Sequence, residues 1–215
     1  MLDVHPPNEP IYRWRDFFIH LATITIGLLI ALSMEGCVEW QHHRHLVHEA
    51  ESALQTEIEG NAAKLQLAMD DVKKEQETLS KDVVILRKII AEPKVPNTES
   101  PQINFILPSF SDVSWETAKS TGALGYMPYE QAHEYSDIYD QQNEVYLAER
   151  QAARDAILSV APLVNLGHVA PKITPEDAAL IKQRIEVLQG QLIMVASFIT
   201  DLDEKYKKFL ADHRE

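Results

Sequence analysis

The chain has 215 residues, 45% hydrophobic and 25% charged, with one cysteine and a formal net charge of −13. That balance argues against a nucleic-acid partner, because phosphate binding needs clustered cations. The lone Cys37 leaves no intramolecular disulfide to depend on.

Residues 1–16 are read as a short cytoplasmic stub. Phe17 to Met34 then form an uninterrupted run with no acidic or basic residue and a single histidine, His20. As a helix it is about 27 Å long, near the ~30 Å hydrocarbon thickness of a bilayer, where only a self-satisfied backbone is admitted. Tyr12 and Trp14 precede the run and Trp40 follows it, as expected of amphipathic rings at the two headgroup levels. The lipid bilayer is therefore the first expected partner.

A signal peptide fits less well than an uncleaved anchor. Secretory apolar cores run to about 15 residues, and the small-x-small triplet Ala31-Leu32-Ser33 lies inside the apolar run. Gly36-Cys37 resembles a lipobox only in that pair, since Met34 and Glu35 stand where an apolar and a small residue belong. Arg13 and Arg15 precede the span and only Arg44 closely follows it. The positive-inside rule then keeps the N-terminus in the cytoplasm and exports the rest, to the periplasm of a bacterial inner membrane. Residues 1–34 carry −1 of the net charge, leaving −12 on the body. Anionic lipid repels such a body, so the anchor has to hold it.

Beyond the span the sequence predicts an all-α fold. A first long segment, from about Glu35 to Ala91, has apolar positions at Val47, Leu54, Ile58, Leu65, Ala68, Val72, Leu79, Val83, Leu86 and Ile90, mostly three, four or seven apart. It continues the membrane helix, with residues 35–53 as a stalk, until Pro93 and Pro96 end it. Residues 92–127 hold a proline-interrupted linker and a short helix, Asp112 to Thr121, closed by Gly122. A second long segment runs from Pro128 to about Ala161, with an inner stripe of Tyr135, Ile138, Gln142, Val145, Ala152, Ala156 and Val160 and a stop at Pro162.

The third segment opens on Thr174-Pro175-Glu176-Asp177, a hydroxyl cap, a proline and two acids in the first turn. Ile181, Ile185, Leu188, Leu192, Val195, Ile199, Leu202, Tyr206 and Phe209 follow as a heptad seam that needs a partner, within the chain or across a subunit interface. The apolar stretch within it is short and Asp201 follows, so the count of crossings stays at one. Similar lengths and a short connection make the second and third segments antiparallel neighbours. With the outer part of the first segment they form an antiparallel three-helix bundle over residues 54–215. In this layout the Leu163 to Ile173 loop faces the membrane and the linker lies at the far end.

GLLIAL in the span, then Glu39-Trp40, Arg44, Leu46, Glu49 and Glu57, and later Ser114-Trp115-Glu116-Thr117-Ala118 and Thr121-Gly122-Ala123-Leu124, together resemble a family of uncharacterised bacterial single-span membrane proteins. The likeness covers most of residues 15 to 150. It implies the same anchor-plus-helices layout and no assigned activity.

Three local patterns have a functional reading beside a plainer one. His42, His45 and His48, with His43 and nearby Glu39 and Glu49, offer metal ligands or a pH sensor; more simply they are a polar collar at the headgroups. Thr23, Gly27 and Ala31 form a small-xxx-small face that permits close approach of a second copy or another membrane protein, or arise from composition. Trp115, Gly122 and Leu124, with Tyr126 and Tyr129, either line a pocket at the distal end or cap the bundle core, and the cap is the simpler reading. Tyr135, Tyr139 and Tyr146 are read as half-buried.

No G-x-S-x-G, P-loop, H-E-x-x-H or paired-cysteine motif occurs, and no cofactor is implied. The expectation is a non-enzymatic, single-pass membrane-anchored scaffold or interaction module. The alternative is an exported helical domain that senses a ligand or pH and signals through a partner.

Overall fold

A computed structural model describes residues 14–94, 101–102, 109–164 and 173–213. The stub up to Arg13 and most of the 163–173 loop lie outside the described residues. Among those described every regular element is helical: α1 (Trp14–Ala91), α2 (Val113–Thr121), a single 3-10 turn (Ala123–Tyr126), α3 (Tyr129–Val164) and α4 (Pro175–Asp212). By packing, the chain divides into two units, Met1–Glu49 and Ala50–Glu215.

In the first unit the apolar side chains of α1 have nothing to pack on. Ile24, Leu28, Leu29 and Ile30 are all exposed, and none of the apolar window is buried. The hydroxyls in the run are satisfied inside the helix: Thr23, Thr25 and Ser33 donate to the carbonyls four residues back, at 2.9, 2.8 and 2.7 Å. Trp14 stacks on Phe18 at a centroid distance of 5.7 Å, and the Arg44 guanidinium lies 5.5 Å from the Trp40 ring. A bare, self-satisfied apolar cylinder edged by aromatic rings is compatible with insertion into hydrocarbon.

In the second unit three long helices each bury one stripe. From Leu54 the buried residues of α1 step by four and three to Leu86 and then Ile89. The last of them corrects the expected Ile90, which is 37% exposed while Ile89 is 8% exposed. The stripe also carries Asn61, Glu75 and Asp82, polar residues on seam positions. On α3 the buried residue near the C-terminus is Ser159 in place of the expected Val160. Tyr135 and Tyr139 are fully buried instead of half-buried, whereas Tyr146 is 52% exposed. All nine seam residues of α4 are buried within the chain, so the heptad has its partner without a second subunit.

Hydrogen bonds between the helices fix their directions. Tyr139 and Gln142 of α3 meet Glu57 and Asn61 of α1, so α3 runs parallel to that part of α1. Numbers run oppositely between α3 and α4, where Tyr206 meets Gln142, Lys205 meets Asp137 and Arg184 meets Leu158. They also run oppositely between α4 and α1, where Gln66 meets Asp203 and Ser80 meets Gln189. The end of α3 and the start of α4 therefore lie at the end of the unit where α1 finishes, and α2 lies near its start, the reverse of the expected order.

The linker explains this reversal. Gln102 donates its amide to both oxygens of Asp82 at 3.1 Å, whereas the Ser111 backbone is held at Asn61. About 31 Å of α1 separates these two anchors at 1.5 Å per residue. The segment between α1 and α2 is long enough to return that distance before α2 begins.

The ends of the helices follow local chemistry. Gly122 closes α2 in the left-handed conformation, φ 78°, where a side chain is strained. Thr174 caps α4 by accepting the Asp177 amide at 3.1 Å, with Pro175 in the first turn. Pro162 does not stop α3, which continues to Val164. Its missing amide leaves the Leu158 carbonyl without the usual helical donor, and Arg184 of α4 supplies one instead.

Candidate functional site

The most developed polar arrangement in the second unit joins α1, α2 and α3. The Glu57 carboxylate accepts from Ser111 Oγ at 2.6 Å, the Ser114 amide at 3.0 Å and Tyr139 Oη at 2.7 Å. Burial raises its pKa, but the hydrogen bonds from Ser111, Ser114 and Tyr139 outweigh it and hold the carboxyl below its ordinary range. Beside it, Asn61 takes the Ser111 amide at 2.9 Å and donates to the Ser111 carbonyl at 2.7 Å. Gln142 donates to the same carbonyl at 3.0 Å and accepts from Tyr206 at 2.7 Å. These bonds pin the entry of α2 to α1 and α3, with α4 tied in through Gln142, and satisfy groups that burial would otherwise strand.

α2 thereby presents Trp115 to α3. Its ring stacks on Tyr139 at 5.0 Å with 7° between the planes. Next to the stack is a cleft of about 630 Å³, walled by Phe110, Trp115, Tyr139 and Tyr146 and by the carboxyl groups of Asp112, Glu116, Asp140 and Glu149. Among the described residues that line it Lys119 alone is basic: its ammonium lies 2.8 Å from Glu116 and 5.8 Å from the Trp115 ring centroid. Arg150 lies over the Tyr146 ring at 5.6 Å.

Glu149 differs from the other acids. It is 3% exposed, and among the described residues its Oε1 has no hydrogen-bond partner. Burial alone pushes its pKa up to about 8. Glu75 is buried on α1 with Oε1 also unpartnered; its pKa is raised to about 7 by burial and by Asp82. Tyr139 and Tyr206 are raised too, chiefly by burial, so neither gives up its proton near neutrality.

The residues expected to matter fare unequally. Trp115 lines the cleft, Gly122 is a helix cap and Leu124 sits in the 3-10 turn away from the cleft wall. His42, His45 and His48 are exposed, and His45 pairs with Glu49 at 3.2 Å. Among the described residues no three His, Cys, Asp or Glu side chains are grouped to hold a metal ion. Thr23, Gly27 and Ala31 are exposed on α1, with open space around Gly27. The sequence reading missed Asn61 and Glu149. Both are polar residues on buried stripes, which is the signal that could have found them.

Comparison with family models, with curated proteins and with solved structures found no match for the chain.

Proposed function

We propose that this protein is a non-enzymatic interaction module held outside the cytoplasm by one membrane span. Residues 17–34 cross the bilayer, the N-terminal stub stays in the cytoplasm and residues 54–215 form an exported three-helix bundle. The observation that carries the reading is a contrast between the two helices long and apolar enough to cross a membrane. The window in α1 is wholly unburied, whereas a third of the α4 window is buried and its seam is taken up by packing within the chain. Hydrocarbon cannot replace that packing without exposing Asp203 and Tyr206, which are bonded to Gln66 and Gln142. The resemblance of the GLLIAL span and the Trp115 and Gly122 motifs to single-span bacterial proteins supports the same layout.

Alkaline phosphatase fusions in a bacterial host test the topology. Fusions after Gly167 and after Glu215 should both be active outside the cytoplasm. Activity at only one of the two overturns the single crossing, because a second span through α4 would put these points on opposite sides.

A second reading, ligand sensing, is favoured by Glu149. A buried carboxyl with an oxygen left unpartnered at the wall of an open cleft costs stability, and a ligand that supplies a donor removes the cost.

A further inference from the structure

We propose that the cleft between Trp115 and Glu149 binds the primary ammonium group of an organic amine, with a linear polyamine as the fitting class. The proposal rests on the sensing reading of the cleft and names its ligand chemistry. Among the described lining residues Asp112, Glu116 and Asp140 stand against the single base Lys119, and the buried Glu149 keeps its proton near neutrality until a cation arrives, so the charge of the cleft calls for a cation. Its aromatic walls, Phe110, Trp115, Tyr139 and Tyr146, suit a cation with an apolar body, because ring faces attract ammonium groups and alkyl chains bury against them.

A bare metal ion fits less well, since no three carboxylates among the described residues are grouped to hold one. The chain itself displays the recognition chemistry. Lys119 holds its ammonium between the Glu116 carboxylate and the Trp115 ring, and Arg150 lies on Tyr146. An incoming amine uses the same pair of elements, a carboxyl and an aromatic ring.

Glu149 selects a primary ammonium over a quaternary one. Its enclosed oxygen lacks a hydrogen-bond donor, and only an ammonium with N–H groups can donate. The outer torsion of a glutamate is soft, so either oxygen turns to the cleft at little cost. Asp112 and Asp140 on the same lining give a second amine of the same chain an acid to meet.

Calorimetric titration of spermidine into the full chain in zwitterionic lipid nanodiscs tests the assignment. Saturable binding is expected, weakened at least tenfold by Glu149→Gln, tightened a few-fold by Lys119→Ala and unchanged by Asp201→Asn, an exposed acid on α4. Tetramethylammonium, a cation without N–H groups, should bind at least tenfold more weakly than spermidine. The amine assignment is overturned by the absence of saturable heat, by equal affinity in Glu149→Gln, or by equal affinity for tetramethylammonium. Circular dichroism melts establish that each variant is folded. The sensing reading is scored separately by thermal shifts with uncharged and anionic small molecules in wild type and Trp115→Ala. A Trp115-dependent shift from one of those, with spermidine silent, overturns the amine and keeps the sensing reading. Silence from every class overturns both.

Discussion

Helix α1 contains two stretches that place their apolar residues differently and solve opposite problems. Residues 17–34 are apolar on all sides and bury nothing, whereas residues 54–89 are apolar on one stripe and bury that stripe almost completely. The first stretch has no period and is compatible with a membrane helix; the second reads as packed helix because its period is strict. Helicity is common to both, so the solvent each stretch requires is decided by how its apolar residues are distributed.

The comparison breaks most sharply under a buried or membrane charge. Leu65 is fully buried, so Leu65→Asp strands a carboxylate in the core and should cost more than about 4 kcal/mol. The second unit should then show no cooperative melt by circular dichroism while the chain stays in the membrane fraction after alkaline extraction. Leu28→Asp should do the reverse. A carboxylate at the centre of a span costs about 3 kcal/mol, so retention falls while the melt of the second unit is unchanged. If Leu28→Asp lowers the melt as well, the two units are not energetically separate.

A finer contrast lies within the second unit, between Glu57 and Glu149. Glu57 has a lowered pKa, so the stability it adds is full above the ordinary carboxyl value and is lost as pH falls through the folded value. Glu149 has the opposite sign. Its pKa is raised to about 8, so its contribution is full below the ordinary value near 4.5 and is lost as pH rises through 8. Glu75, raised to about 7, acts in the same window. Each tenfold difference in proton affinity between the folded and unfolded chain is worth about 1.4 kcal/mol, so Glu149→Gln should gain on the order of a few kcal/mol relative to wild type between pH 5 and pH 9. Melting temperatures across that range measure it, and parallel curves for the two proteins would remove Glu149 from the account. For Glu57→Gln the gap from wild type should instead narrow at the acid end, as the Glu57 contribution is lost.

Much of this architecture is legible in the sequence because it rests on local chemistry. The Thr174-Pro175 opening, the Gly122 close and the α4 seam are each specified within a few turns. The direction of α3 is a different matter. It depends on whether α2 begins at once or only after the chain has returned from Asp82 to Asn61 of α1, and prolines in the linker say only that α1 ends. What decides it is Asn61 gripping the Ser111 backbone, a contact across 50 residues. The cleft was half legible for the same reason. Trp115 stands out in the sequence, but its partner Tyr139 and the unpartnered Glu149 are ordinary members of a helical stripe until α2 is docked beside them.

The smallest expected effect uses one residue type in both regions. Thr174 accepts the Asp177 amide, a donor that the start of a helix leaves without a helical partner, so Thr174→Ala should cost about 1 kcal/mol and lower the melt of the second unit by a few degrees. Thr23 donates to the Ile19 carbonyl, which has a place in the helical ladder whatever stands at position 23. Thr23→Ala should therefore change the melt of the second unit by no more than a few tenths of a kcal/mol and leave membrane retention intact. The hydroxyl matters at α4 because it meets an unfilled backbone group, and in the span it only satisfies itself. A measurable loss of retention in Thr23→Ala would show that this hydroxyl bonds something other than its own helix.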